Sequence, residues 1–168
     1  MNITKPLSGK TLVVTRSFEQ SEPLSSELVN MGAKVISLPL ITIAEPADDG
    51  KGLEEKVKDF EAYKWVIATS PNGAKRLLKM MQVVGKSNCP RVAVIGRSTA
   101  EVFTQSGIAV DFVPEKTFSE GFLEVFPKAT EEGDRILLVQ AEKARSLLYE
   151  GLKNTAVSYT HLTLPTKA

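Results

Sequence analysis

Short runs of consecutive apolar residues alternate along this chain with longer stretches in which apolar positions recur at helical spacing. Leu12-Val13-Val14-Thr15 is the first run. It reads as a buried strand, followed by a helix that Ser21 and Pro23 open and Gly32 closes. A second strand is expected over Lys34 to Leu38. Beyond it, Pro39 and Pro46 flank Leu40-Ile41-Thr42-Ile43, and prolines so placed argue for an edge or connecting ladder, read here as a linker over 39–46.

From Gly52 to Phe60 a short helix gathers Leu53, Val57 and Phe60 on one face. Trp65-Val66-Ile67-Ala68 is the next strand. It breaks at Ser70-Pro71-Asn72-Gly73 and resumes as a helix with Ala74, Leu77, Leu78 and Met81 inside and Lys75, Arg76, Lys79 and Gln82 outside. The unit then repeats: strand Val92-Ala93-Val94-Ile95, turn Gly96-Arg97-Ser98-Thr99, helix Ala100 to Ser106 closed by Gly107, strand Val110-Asp111-Phe112-Val113. A helix from Ser119 to Phe126 stops at Pro127, Arg135 to Val139 is a further strand, and a last helix runs through Leu147, Leu148 and Leu152 to about Asn154. Alternation at this pace predicts an α/β protein, with parallel-sheet domains carrying helices on both faces. In such sheets ligands sit at the carboxyl ends of strands.

Composition narrows the class. Of 168 residues, 42% are hydrophobic and 24% charged, the balance of a soluble globular chain able to bury a core. Lys and Arg total 21 against 20 Asp and Glu, so no net field draws in nucleic acid or an anionic membrane. A single cysteine, Cys89, excludes an internal disulfide framework and a cysteine metal cluster, and fits a reducing cytosol. It is expected as a small, buried or half-buried thiol in the loop before Pro90. The N-terminus lacks the apolar segment of a secretory signal, and no apolar run reaches membrane-spanning length. A cytoplasmic protein without nucleic-acid or membrane partners is expected.

Chemistry is expected where strands give way to helices, because backbone N–H groups at a helix start suit a carboxylate or phosphate. Ser70 at N-cap and Pro71 at N1 make a standard helix entry. Asn72 and Gly73 add little to capping, which turns this entry toward binding. Ser98 with Glu101 reads as a capping box. Thr99 is open between a structural and a ligand-facing role. Arg16, after the first strand, is either a carboxylate clamp or half of a surface salt bridge. Gly9-Lys10-Thr11 precedes a strand and lacks the first glycine of a phosphate-binding loop, and Gly96-Arg97-Ser98-Thr99 is no dinucleotide fingerprint. Asp48-Asp49, Glu54-Glu55 and Glu142, Lys143 and Arg145 read as solvated charges.

The last segment stands apart. Val157-Ser158-Tyr159-Thr160-His161-Leu162-Thr163-Leu164-Pro165-Thr166 matches, residue for residue, the in-frame translation of a transposon adapter used in DNA library preparation. Residues 157–168 are therefore expected to be a non-native tail, one whose β propensity nevertheless lets it imitate a strand. His161 is the single histidine, so residues 1–156 would hold none for acid–base work or metal ligation.

Taken in order, Leu12 to Arg16, Leu28 to Val35 with Pro39 to Ile43, Trp65 to Ala74, Val94 to Ala100 and Ile136 to Arg145 resemble uroporphyrinogen-III synthase. The resemblance implies two α/β domains joined by a two-stranded linker. Residues 1–38 would open the first domain, 39–46 would be a linker strand, and 47–156 would form most of the second domain, lacking its last strand. The larger part of the first domain would be missing. The implied reaction is the cofactor-independent dehydration and cyclisation of hydroxymethylbilane with inversion of ring D, by an enzyme monomeric when complete. It also implies Ser70, Asn72 and Gly73 as a carboxylate-binding turn, Thr99 as a cleft-facing polar residue and Arg16 as a first-domain wall residue, with no metal. The family's candidate acid, a tyrosine on the second linker, would lie outside this chain, leaving the fragment inactive. A non-catalytic, flavodoxin-like or two-lobed small-anion-binding module is the alternative.

Overall fold

Trp65, Val66, Ile67 and Ala68 are each 0% exposed, so this run is a strand covered on both faces. The computed structural model describes residues 5–40, 42–43, 48–126, 130–131, 133–141, 144–153, 158–164 and 166–167. The chain divides into two compact units, Met1–Ala44 with Thr166–Ala168, and Glu45–Pro165.

In the first unit, β1 (Thr11–Val14) and β2 (Lys34–Ser37) pair in parallel and are joined by α1 (Phe18–Asn30). The helix starts earlier than expected, at N-cap Ser17 rather than at Ser21. Ser21 lies inside it and returns its hydroxyl to the Phe18 carbonyl at 2.8 Å, while Pro23 is tolerated within the helix at the cost of one backbone donor. Gly32 closes the helix at φ +95, where a Cβ would stand 2.7 Å from that of Lys5. Val13 and Ile36 are register partners on one face of the pair and remain 54% and 45% exposed. A short β3 (Thr42–Ile43) pairs antiparallel with β8 (Thr166–Lys167).

The second unit opens with α2 (Lys51–Lys58), whose Leu53 and Val57 are buried together with Phe60 of the following 3-10 turn. Its four-stranded sheet contains β4 (Trp65–Ala68), β5 (Arg91–Val94), β6 (Arg135–Ala141) and β7 (Ser158–Leu164), in the order β5-β4-β6-β7 and parallel throughout. Helices α3 (Pro71–Val84), α4 (Arg97–Gln105), α5 (Ser119–Val125) and α6 (Leu147–Lys153) complete it. Alternate strand residues supply two core layers. Val66, Ala68, Val92, Val94, Leu137 and Val139 meet α2, α3 and α4 through Leu53, Val57, Leu77, Met81 and Phe103. Trp65, Ile67, Ala93, Ile136 and Leu138 meet α5 and α6, with Phe126 edge-on to Trp65 at 5.0 Å. This is the expected α/β architecture, with helices on both faces.

Two further expected elements change. The strand at Val110 to Val113 reduces to a single bridge between Phe112 and Ala93. The Asp111 carboxylate accepts the Val92 N–H at 2.8 Å, replacing a ladder carbonyl and ending the pairing there. Helix α4 begins at Arg97 with Gly96 as N-cap, so Ser98 is an exposed first-turn residue and forms no capping box. Residues 158–164, the segment expected to imitate a strand, run in parallel beside β6 from Arg135↔Ser158 to Ala141↔Leu164.

Parallel sheets are ordinarily covered on both faces, and the Val13–Ile36 face is not. The chain should bind an apolar dye such as anilinonaphthalene sulfonate in its native state. Replacing both residues by Thr should lower that fluorescence while leaving near-UV circular dichroism of the Trp65 core intact. Undiminished dye binding in the double variant would refute the assignment of that face as the exposed patch.

Candidate functional site

The exits of β4 and β5 and the turn after the Phe112 bridge, at the carboxyl edge of the second unit, converge on one pocket. After β4 the chain turns through Thr69 and Ser70 into α3, after β5 through Ile95 and Gly96 into α4, and after the Phe112 bridge through Glu115 and Thr117 toward α5. Thr69, Pro71, the stretch from Ile95 to Thr99, Glu115 and Thr117 line an open pocket of about 650 Å³. That volume falls in the usual range for small-molecule sites, roughly 300–1,000 Å³.

The first wall is fixed by β4. Thr69 donates its backbone N–H to the Val139 carbonyl at 3.2 Å, extending the ladder one residue beyond the strand. Ser70 is the N-cap of α3, and its Oγ accepts the Gly73 N–H at 3.1 Å. Gly73 is buried and Asn72 half-buried. The Gly73 donor is thus committed to the cap, and this turn contributes Thr69 and Pro71 to the pocket wall.

The second wall is the start of α4. Thr99 and Ala100 donate their N–H groups to the Gly96 carbonyl, and Gly96 offers no side chain to cap the turn. Thr99 is 2% exposed yet lines the pocket. Arg97, Glu115 and Thr117 are exposed along the rim.

Of the residues singled out from the sequence, Thr99 lines this pocket, while Ser70, Asn72 and Gly73 shape its neighbouring turn. Arg16 is exposed just beyond β1 in the first unit. Thr69 and Pro71 belong to the same turn as Ser70, whereas Glu115 and Thr117 were not anticipated. The available signal for the last two was their place in the polar turn that follows Phe112, the third consecutive strand exit. Arg145, read as a solvated charge, pairs with Glu120 at 3.1 Å, whereas Glu142 and Lys143 lie outside the described residues.

Other polar groups have structural employment. Asp48 accepts the N–H groups of Gly52 and Gly50 at 2.8 and 2.9 Å. These bonds hold its carboxyl below the usual range and seat the start of α2. Cys89 packs half-buried against the α2–α4 core layer, and burial, with a smaller contribution from the Asp111 charge, pushes its thiol up to about 12. Burial also lowers the Arg76 guanidinium. Among the described residues, no group of three His, Cys, Asp or Glu could hold a metal ion, and no helix is long and apolar enough to cross a membrane.

Comparison with known proteins brings these features together. The family model for uroporphyrinogen-III synthase HemD matches residues 22–164. A uroporphyrinogen-III synthase of Synechococcus elongatus is 31% identical over 141 residues, covering 82% of this chain and 53% of that protein. A putative uroporphyrinogen-III synthase of Methanothermobacter thermautotrophicus is 30% identical over 145 residues, covering 84% and 56%. This chain thus spans about half the length of these curated relatives. A solved uroporphyrinogen III synthase from Thermus thermophilus superposes with a TM-score of 0.69 at 15% identity, covering 95% of this chain and 62% of that one, which speaks for the fold.

The Ser70 cap is open to direct measurement. Ser70→Ala removes the acceptor of the Gly73 N–H and should lower stability by about 1 kcal/mol, read as a lower urea midpoint with an unchanged slope. An unshifted midpoint would show that the hydroxyl does not hold the turn.

Proposed function

We propose that this chain, which belongs to the uroporphyrinogen-III synthase family, supplies one wall of a site that cyclises hydroxymethylbilane to uroporphyrinogen III. The enzyme would be a cofactor-independent, cytoplasmic lyase of tetrapyrrole biosynthesis, acting as a monomer when complete. The observation that carries this reading is the pocket where Thr69, Thr99 and Thr117 meet Arg97 at consecutive strand exits. Such donors suit a substrate with acetate and propionate groups on every ring.

The chemistry asks for geometry more than for a catalytic cluster. Loss of the terminal hydroxyl, leaving as water with a proton from the medium, gives an electrophilic azafulvenium ion, which becomes the neutral azafulvene on release of its ring N–H proton. The far ring attacks it at its already substituted carbon, giving a spiro intermediate that rearranges to the inverted product. Without an enzyme the ring closes uninverted. Holding the carboxylates fixes which carbon approaches, so the enzyme's contribution is proximity and orientation, with modest acid assistance. In this reading Thr99 holds substrate in the pocket, Ser70, Asn72 and Gly73 form the adjoining carboxylate turn, and Arg16 is a wall residue of the first domain.

The same reading treats residues 157–166 as translated adapter, supported by the match at every position. A β-prone segment beside the open edge of β6 would pair there whatever its origin.

Two experiments test these proposals. Residues 1–156 joined to the remaining portion of the Synechococcus elongatus relative should yield the inverted isomer, whereas the 168-residue chain should leave the spontaneous isomer. Spontaneous product from the joined protein, as a plain anion-binding module would give, overturns the synthase reading. For the tail, the codons across positions 157–166 should be those of the adapter. Synonymous codons that depart from it would overturn that origin.

A further inference from the structure

We infer that the pocket seats one carboxylate-bearing pyrrole ring, with Glu115 accepting the ring N–H while Arg97 and the pocket hydroxyls take the ring's acidic arm. The inference rests on the tetrapyrrole reading above and adds to it the residue that recognises the ring itself. Its starting point is the pocket's mixed polarity. Arg97, Ser98, Thr99 and Thr117 offer donors, and Glu115 is the acidic side chain among the lining residues.

A carboxylate is a costly neighbour for a ligand made of carboxylates unless it meets a donor of its own. An ionised glutamate only accepts hydrogen bonds, and a pyrrole ring's one polar atom is an N–H. Donors toward the arms and a single anionic acceptor toward the nitrogen therefore fit a pyrrole acid better than a phosphate, which brings no donor when ionised. The same carboxylate opposes the positive charge that develops on a ring nitrogen as its hydroxyl departs.

The charges are also uncommitted. Neither Arg97 nor Glu115 has an ion-pair partner among the described residues, and the two do not bridge each other across the pocket. Lys116, the residue between the two loop members, is instead taken by Glu124 at 2.7 Å. Beneath the rim Thr99, 2% exposed, adds a hydroxyl-bearing side chain to the lining. A cation and an anion that pair with neither each other nor a neighbour, on the rim of one pocket, make an arrangement that a bifunctional ligand completes.

The test is a chemical-shift titration of the 168-residue chain with a monopyrrole bearing one acetate and one propionate arm, and with its N-methyl counterpart. Wild type should prefer the N–H compound by roughly tenfold. Glu115→Ala should erase that preference by weakening the N–H compound alone, Glu115→Gln should keep part of it, and Arg97→Ala should weaken both compounds. Because Glu115 is exposed, unchanged amide shifts across β4 and β5 confirm that the variants fold. Unchanged or tighter binding of the N–H compound by Glu115→Ala would overturn this inference alone, since a bystander anion repels the arms. If neither compound shifts the wild-type resonances of Gly96 to Thr99 at millimolar concentration, the tetrapyrrole reading fails and this inference with it.

Discussion

Strand β4 is covered on both faces, and most of the second unit follows from that. Each of its four residues must be apolar because each points into a helix layer: Trp65 and Ile67 toward α5 and α6, Val66 and Ala68 toward α2, α3 and α4. Its neighbours β5 and β6 run parallel to it. Parallel neighbours require crossover connections, and the crossovers are the helices that cover the sheet. The same arrangement aligns the strand exits at one edge. The first polar residues the chain can afford after each buried run, Thr69, Gly96 to Thr99, and Glu115 to Thr117, therefore fall together. The pocket is a consequence of the sheet's burial as much as of the residues lining it.

Uninterrupted apolar runs and helical periodicity were legible in the sequence because they record burial directly. Trp65–Ala68, Val92–Ile95 and Ile136–Val139 are buried strand segments or their immediate extension, and Ala74, Leu77, Leu78 and Met81 are the buried stripe of α3. Helix starts were less legible, since a serine near a boundary signals a cap without fixing its register. Ser21 and Ser98 both fell inside helices that begin earlier, at Ser17 and Gly96. In α4 the extended backbone of Gly96, at φ −135 and ψ 157, makes the turn without a capping side chain. The strand expected at Val110 to Val113 failed for a tertiary reason, the capture of the Val92 N–H by the Asp111 carboxylate.

The candidate site was half legible. Thr99 stood out by its place on the first turn of a helix following a strand. Glu115 and Thr117 did not, because their significance depends on Phe112 docking beside Ala93, a contact no local pattern announces. Position at a strand exit was the transferable signal. Residue type alone would have favoured Asp48, whose carboxylate is already occupied by the backbone of α2.

The two helix starts beside the pocket differ in what they leave for a ligand. At α3 the Ser70 hydroxyl takes the Gly73 N–H and Pro71 carries no N–H, so the fold itself uses or removes much of that turn's donor capacity. At α4 the cap is Gly96, and no side chain competes for the first-turn N–H groups. The positive end of that helix, reinforced by the Arg97 guanidinium, faces the pocket together with the Thr99 hydroxyl. A self-capped start gains local stability and gives up binding capacity, whereas this glycine-capped start commits the Thr99 N–H to the Gly96 carbonyl and leaves those of Arg97 and Ser98 without a capping side chain. The Ser70-Pro71-Asn72-Gly73 turn therefore keeps fewer uncommitted backbone donors than the Gly96-Arg97-Ser98-Thr99 turn.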